Sequence, residues 1–249
     1  ASAAPAGRAT RWTWTRSFSN SADPADTPTP DQPPDTTAVD AISDTVGDLG
    51  ALGSDAVATL FENDLVHVHR VALPAGATLA AHDGGERVVY ALSDLALTFT
   101  TDGEATEHTF EIGGVHYHEA GTHAVANVGE GTAEFLVFER RGGALPEAGA
   151  PEAMLAAEGA TDEVLFENNF AEVHRVTLQP GAALPPHQGF ARAVYSLSGY
   201  TVEFTDAEGS RVQRYEAGQA HYHDPGDHTV ENADDTVAEF LVVEFKPGA

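Results

Sequence analysis

The chain has 249 residues and a formal net charge of −27, which results from 39 acidic and 12 basic side chains. This charge disfavours nucleic acids and anionic membranes as partners, because their phosphates would face a surface of like charge. The absence of cysteine excludes disulfides, thiolate metal ligands and cysteine nucleophiles. No apolar run approaches the roughly 18–20 residues of a membrane helix, so the sequence predicts a soluble protein.

The acidic composition, with Lys246 as the single lysine, favours a protein that stays soluble in high salt. We therefore predict a halophilic protein, with an acidic, alanine-rich protein from a GC-rich genome as the alternative. The chain starts with Ala1, which agrees with export after removal of a signal peptide. A cytoplasmic location in a high-salt organism agrees equally well with the composition.

Residues 1–55 predict an N-terminal arm that is partly disordered, because 19–37 is dense in Pro, Asp, Thr and Ser and has little apolar surface to bury. Apolar residues spaced three, four and three apart favour a short amphipathic helix over 38–50. Trp12 and Trp14 fall on one face of an extended segment. We expect this segment to dock on a sheet edge or on a neighbouring subunit. In the second case the protein would be a homo-oligomer that is held together by its N-terminal arm.

The chain contains an internal duplication. A shift of 105 positions aligns residues 60–140 with 165–245 without a gap, and about 36 of the 81 pairs are identical. Each copy consists of short β-rich runs separated by turn sequences, with no helical pattern between them. This arrangement is typical of an antiparallel sandwich or barrel. We predict an all-β fold with one unit over 56–142, a linker over 143–160 and a second unit over 161–249.

Each copy carries two motifs that resemble those of the cupin superfamily. The first is a Gly, five residues and a His, followed by an aromatic strand; the second is a Gly, a turn, a His, three residues and an Asn. They occur at Gly76/His82 and Gly113/His123/Asn127 in copy 1 and at Gly181/His187 and Gly218/His228/Asn232 in copy 2. The second motif of copy 2 is especially similar to small bacterial cupins linked to β-alanine degradation. The resemblance implies a bicupin, that is, two tandem jelly-roll barrels whose mouths can hold a metal.

The first motif departs from the cupin pattern in both copies. Its second histidine is replaced by Gly84 and Gly189, and its glutamate is replaced by Arg87 and Arg192. Neither copy therefore contains the usual set of three histidines and one glutamate. For this reason the resemblance assigns no catalytic residue to this chain.

Ten of the twelve histidines form matched pairs in the duplication. Alternation along each His-Tyr-His strand places both imidazoles on one face and the tyrosine on the other. If that face is the barrel interior, these imidazoles join those of the two motifs around one point, where neutral imidazole can bind a transition metal. We predict a divalent metal ion (Fe, Mn, Cu, Ni or Zn) with ligands among His82, His116, His118, His123, His187, His221, His223 and His228. The alternative is a hydrogen-bonded or solvent-facing set of histidines that binds no metal.

The two arginines that replace the glutamate predict an anion-binding role. If they point inward, Arg87 and Arg192 each place a guanidinium in a barrel mouth, where it can clamp a carboxylate or a phosphate. We predict both as substrate-binding residues, together with Tyr117 and Tyr222. The alternative is an internal salt bridge of the arginines to Glu111 and Glu216, or to Glu134 and Glu139.

Two functions follow from these predictions. The first is a metal-dependent enzyme of the oxygenase, isomerase or decarboxylase type that acts on a small anionic metabolite. The second is a non-catalytic binding or scaffold protein whose barrels hold a carboxylate or a sugar in degenerate metal sites. A small molecule is the expected ligand in both cases.

Overall fold

The computed structural model describes residue 49 and residues 55–146 and 157–247, and the regular structure of these ranges is almost entirely β-strand. The predicted all-β class is confirmed. The predicted arm and its helix, apart from Leu49 and Asp55, and residues 147–156 of the predicted linker lie outside the described residues. Among the described residues, no helix has the length and apolar character needed to cross a membrane.

Nine strands form the first unit, which we call barrel 1. They are β1 (Val57–Glu62), β2 (Val66–Leu73), β3 (Thr78–Gly84), β4 (Arg87–Ala91), β5 (Leu95–Thr101), β6 (Glu104–Phe110), β7 (Val115–His118), β8 (Gly121–Asn127) and β9 (Ala133–Arg140). They form a five-stranded sheet in the order β1-β2-β9-β4-β7 and a four-stranded sheet in the order β3-β8-β5-β6.

Nine strands form the second unit, barrel 2. They are β10 (Ala160–Glu167), β11 (Ala171–Leu178), β12 (Ala183–Gly189), β13 (Ala191–Ser196), β14 (Tyr200–Asp206), β15 (Gly209–Tyr215), β16 (Ala220–His223), β17 (Gly226–Asn232) and β18 (Ala238–Phe245). Its sheets have the orders β10-β11-β18-β13-β16 and β12-β17-β14-β15. The two barrels therefore share one antiparallel topology, as the duplication predicts.

Alternate residues of each five-stranded sheet face two different cores. On β4, Val89 and Ala91 lie in the interior of barrel 1, whereas Val88 and Tyr90 belong to a cluster shared by both barrels. This interbarrel core is built from the outer faces of the two five-stranded sheets, and Phe138 is fully buried in it. Both faces of these sheets are buried, so the central strands carry apolar residues on both faces, together with buried polar side chains such as His69 and Glu139.

A β-bulge on β3 determines which way its histidine points. The register between β3 and β8 shifts between Leu79 and His82, so that His82 pairs with His123. Leu79 faces the core of barrel 1, and simple alternation would turn His82 to the outside. The extra residue of the bulge turns it inward, and the Nδ1–H of His82 donates to the carbonyl of Ala80 in the bulge (2.8 Å). Barrel 2 has the same bulge before His187.

The asparagine of the second motif ties a turn to the barrel. Nδ2 of Asn127 donates to the carbonyls of Leu73 and Gly131 (both 2.8 Å), and its Oδ1 accepts from the amide of Gly129 (2.9 Å). Asn232 makes the equivalent bonds in barrel 2. These residues therefore have a structural role and lie outside the candidate site.

Candidate functional site

The His-Tyr-His strand of each barrel presents its imidazoles to the barrel interior. On β7, His116 pairs with Val89 and His118 pairs with Arg87, and Val89 lies in the interior core of barrel 1. His221 and His223 on β16 pair with β13 in the same register.

The central tyrosines face the other way, into the space between the barrels. Tyr117 contacts Phe170 (ring centroids 5.4 Å apart), and its hydroxyl donates to Glu86 (2.5 Å). Tyr222 stacks on Phe61 of barrel 1 (6.1 Å). Both tyrosines are therefore interbarrel contacts on the strand face opposite the imidazoles, away from the arginines with which they were predicted to bind a substrate.

A guanidinium lies among the imidazoles of barrel 1. Arg87 begins β4, is only 6% exposed, and its Nη1 donates to the carbonyls of Gly85 (2.8 Å) and Glu119 (3.3 Å). Its Nη2 donates to a ring nitrogen of His123 (3.0 Å). The ring centroids of His82 and His123 are 4.3 Å apart, so the guanidinium lies beside the two histidines of the cupin-like motifs.

Barrel 2 repeats this arrangement. Arg192 is 4% exposed, and its Nη1 donates to the carbonyls of Phe190 (3.1 Å) and Asp224 (3.3 Å). Its Nη2 donates to Nε2 of His228 (3.1 Å), while the Nδ1–H of that ring donates to the carbonyl of Gly226 (3.2 Å). We call each group of an arginine and its surrounding histidines an Arg–His pocket.

The glycine of the first motif makes room for the guanidinium. A Cβ added at Gly84 would lie 2.4 Å from Nη1 and 2.9 Å from Cζ of Arg87, so a side chain at this position would displace the guanidinium. At Gly189, a Cβ would lie 2.8 Å from Nη1 of Arg192. The two departures from the cupin pattern are therefore one change in space, because the arginine occupies the place from which the missing histidine would project.

Burial keeps the pocket imidazoles neutral. It lowers their pKa in both barrels, and the neighbouring guanidinium lowers it further at His118, His123, His221, His223 and His228. The pKa is lowered to about 4 for His116 and about 3 for His123, and to about 4, 2 and 3 for His221, His223 and His228. Burial also lowers the pKa of Arg192 to about 10, so the arginine is the cation of the pocket at neutral pH.

Several ring nitrogens in the pockets have no hydrogen-bond partner. Nε2 of His116, Nε2 of His118 and Nδ1 of His221 are buried and unpaired. Because an unpaired buried polar atom costs about 1–3 kcal/mol, these atoms mark places where a water or a ligand is expected. In barrel 2, His221 lines a cavity of about 40 Å³, whose charged and imidazole side chains also include His187, Arg192, His223, His228 and Glu244. A space of this size admits a few water molecules or a very small ligand.

Two buried glutamates complete the pockets, and the sequence analysis considered only one of them, as a salt-bridge partner. Glu139 and Glu244 are 1% and 7% exposed and pair across the sheet with Arg87 and Arg192. Each five-stranded sheet thus carries a polar row on its inner face. Polar row 1 is His67, Glu139, Arg87 and His118, and polar row 2 is Glu172, Glu244, Arg192 and His223. Glu244 shares the parity of the inward-facing Phe240 and Val242 on β18, and this alternation is the sequence signal for its inward orientation.

The other arginine pair lies outside the pockets. Arg70 is bonded to Glu134 (2.6 Å), and Nε of Arg175 donates to Glu239 (2.7 Å). These are cross-strand ion pairs on half-exposed side chains, as expected for arginines on a strand.

A metal ion, which the cupin resemblance implies, does not fit these residues as they are arranged. Among the described residues, no group of three or more His, Asp or Glu side chains is placed to hold a metal ion. A guanidinium donates to His123 where a metal would need the lone pair of that ring. The cation also repels a divalent ion, and the glutamate ligand of the family is missing from both barrels.

His174 of barrel 2 has a different environment from the pocket histidines. Its Nδ1 is 2.8 Å from Asp162 and its Nε2 is 3.3 Å from Glu172. Burial opposes its charged form, but the hydrogen bond and charge of Asp162 and the charges of Glu172 and Glu244 outweigh burial and raise the pKa of His174. The counterpart in barrel 1, His69, instead contacts the hydroxyl of Thr59 (3.1 Å).

We expect this cluster to make stability depend on pH. A raised pKa stabilises the folded protein fully below the unfolded value of about 6.5, and this contribution is lost as the pH rises through the folded pKa. Asp162→Asn should therefore destabilise the protein more at pH 6 than at pH 9 in denaturant unfolding. Glu107→Gln, on the exposed strand β6, is the control and should show no such difference. An equal loss for Asp162→Asn at both pH values would contradict this.

Solved structures share the architecture of the two barrels. An oxalate decarboxylase matches with a TM-score of 0.59 and 16% identity, over 77% of this chain and 72% of that chain. Oxalate decarboxylase from Bacillus subtilis, a protein with Mn(II) centres, matches with a TM-score of 0.58 and 16% identity, over 78% and 73% of the two chains. At this identity the likeness shows the fold alone.

A single cupin domain from Bordetella pertussis Tohama I has 24% identity over 35% of this chain and 94% of its own, with a TM-score of 0.34. No protein-family model and no curated protein matches the sequence.

Proposed function

Starting from the bicupin fold of this chain, we propose that its two barrels bind small carboxylate anions, with Arg87 and Arg192 as the cations that hold them. The observation that carries the proposal is the placement of one buried guanidinium among neutral imidazoles in each barrel. Such a guanidinium attracts an anion strongly, because little water is present to screen it.

The hydrogen bonds of Arg87 leave donors for a ligand. A guanidinium has five N–H donors, and the bonds to Gly85, Glu119 and His123 use three of them. Two donors are then free to make a bidentate bond to a carboxylate. The buried ring nitrogens of His116 and His118 supply further polar contacts, and the small cavity in barrel 2 limits the ligand to a few heavy atoms.

The proposal predicts that each arginine is required for binding. Arg87→Gln and Arg192→Gln should each weaken or remove one binding site for acetate or oxalate, by about 10- to 100-fold, since a hydrogen bond to a charged group contributes about 1.5–3 kcal/mol. Isothermal titration calorimetry on protein freed of metal by dialysis measures this. The Arg→Lys variants should bind with intermediate affinity, because they keep the charge and lose the planar fork.

The matched control is Arg70→Gln, which removes a half-exposed arginine paired with Glu134. It should leave anion binding unchanged, and circular dichroism should show a folded protein for every variant. Anion affinity that is the same in the double variant Arg87→Gln/Arg192→Gln as in the wild type would refute the proposal.

A metal-dependent enzyme is the second candidate function. The unpaired Nε2 atoms of His116 and His118 favour it, since buried lone pairs of neutral imidazole can bind a transition metal. Elemental analysis of protein purified without a His tag or chelator decides between the two. About one equivalent or more of Fe, Mn, Cu, Ni or Zn per chain that survives dialysis would favour the enzyme. Protein that takes up none of these ions after incubation with each would favour anion binding on the arginines alone.

A further inference from the structure

The two Arg–His pockets are alike in their arginine and histidines but differ in what surrounds the buried glutamate. In barrel 1, Oε1 of Glu139 accepts from Nη1 of Arg141 (2.9 Å) and from the amide of Gly85 (3.0 Å). The side chain of Arg141 is 34% exposed, whereas that of Glu139 is 1% exposed. A second cation therefore holds the glutamate of barrel 1 from the side away from Arg87.

Barrel 2 lacks this contact. The counterpart of Arg141 is Lys246, and its Nζ lies 2.7 Å from Glu167 and 3.7 Å from Glu172. A Cβ added at Gly189 would lie 2.8 Å from both Nη1 of Arg192 and Oε1 of Glu244, so both groups line the same small space. The charge of Glu244 favours the charged form of Arg192, and the contacts of Lys246 are with Glu167 and Glu172 instead.

Polar row 2 is also more acidic than polar row 1. Glu172 of row 2 stands where row 1 has His67, and both residues neighbour the buried glutamate across the sheet. The added carboxylate lies on the same inner face as Arg192 and opposes an incoming anion, while His174 (3.3 Å) and Lys246 (3.7 Å) offset part of its charge. The arginine and the histidines that the two pockets have in common are therefore surrounded by different charges in the two barrels.

We propose that barrel 1 is the stronger anion site of the two and that Arg141 sets this preference by holding Glu139 away from full compensation of Arg87. This inference rests on the proposed anion binding at the arginines. Arg141 is a positioning residue in it, because it acts on the ligand through Glu139.

The single-site variants test the first half of the proposal. Arg192→Gln leaves barrel 1 as the site and Arg87→Gln leaves barrel 2, and acetate is the probe in calorimetry at one fixed salt concentration. We expect acetate to bind at least about 10-fold more tightly in Arg192→Gln than in Arg87→Gln, which corresponds to about 1.4 kcal/mol. Equal dissociation constants would overturn the inference while leaving the proposed function intact. If neither variant weakens binding, the proposed function itself fails.

The role assigned to Arg141 is tested by substituting Arg141 and Glu139. In the Arg192→Gln background, Arg141→Gln should weaken acetate binding about 10-fold, because Glu139 is then free to compensate Arg87. Adding Glu139→Gln should restore the affinity, since the compensating charge is gone. Acetamide, which is uncharged, reports any purely structural damage and should not respond to either change.

The matched control is Lys246→Gln in the Arg87→Gln background. Lys246 pairs with Glu167 and Glu172 and has no role in holding Glu244, so acetate binding in barrel 2 should not weaken by the same factor. A loss in Arg141→Gln that Glu139→Gln does not rescue would overturn the assigned role of Arg141.

Discussion

The double substitution Gly84→His/Arg87→Glu will give barrel 1 a divalent-metal site of a kind that the described residues of the wild-type chain do not form. It removes the guanidinium that donates to His123 and supplies the histidine and glutamate that the cupin motif contains and this chain has lost. Together with His82 and His123 this makes three imidazoles and one carboxylate, a donor set suited to a transition metal. We expect about one equivalent of bound metal by elemental analysis. At 100 times the dissociation constant, the metal should stabilise the fold by about 2.7 kcal/mol in thermal or denaturant unfolding.

The single substitutions should fail for a steric and an electrostatic reason. Gly84→His alone places its Cβ 2.4 Å from Nη1 of Arg87 and leaves the positive charge of the arginine in the site. Arg87→Glu alone provides only two motif histidines as ligands. Once Arg87 is replaced, the remaining contact of that Cβ is with Cε1 of His123 at 3.3 Å, which a small shift relieves.

Barrel 2 provides the matched control. In Gly189→His/Arg192→Glu, Oε1 of Glu244 remains 2.8 Å from the new Cβ, so the histidine fits only if Glu244 shifts. We expect this variant to take up metal poorly. Metal binding by the wild type as strong as by the barrel 1 variant would show that the arginine does not exclude the ion.

Phe138→Ala will lower the free energy of unfolding by about 3–5 kcal/mol, the cost of removing a fully buried aromatic ring. Phe138 is 0% exposed and lies in the interbarrel core with Phe170 and Phe245 of barrel 2. Because this core is shared, the loss should reach both barrels. Native-state hydrogen exchange should therefore speed up in β18 as well as in β9.

The matched control for this prediction is Phe135→Ala on the same strand. Phe135 is 4% exposed but lies in the interior core of barrel 1. Its loss should be of similar size, with faster exchange concentrated in barrel 1. If the Phe138→Ala variant accelerates exchange in barrel 1 alone, the two barrels do not depend on the shared core for stability.

The sequence alone determined the architecture of this protein. A gapless duplication with short alternating runs and turn signals predicts two similar all-β units, because a period-two pattern buries one face of each strand. Alternation also placed the imidazoles of His116 and His118 on one face and Tyr117 on the other, which the structure confirms.

The tertiary structure decided what these residues surround. No pattern in the sequence marks the bulge that turns His82 inward, since a bulge depends on the register between β3 and β8. The sequence also does not show that the guanidinium of Arg87 lies against Gly84. In the structure, Nη1 of Arg87 is 2.4 Å from the place where a Cβ of residue 84 would be. Gly84 and Arg87 look like independent departures from the cupin motif in the sequence, but in the structure the arginine occupies the space of the missing histidine.

The contacts of the tyrosines and of the charged residues around the pockets also could not be predicted from the sequence. The partner of Tyr117 is Phe170 of the other barrel, and nothing local to either strand predicts that the two barrels share a core. Arg141 and Lys246 are matched cations in the duplication, yet the first contacts the buried glutamate and the second pairs with Glu167. Electrostatic interactions act between atoms that folding brings together, so the sequence determines which charges are present and the tertiary structure determines which of them meet.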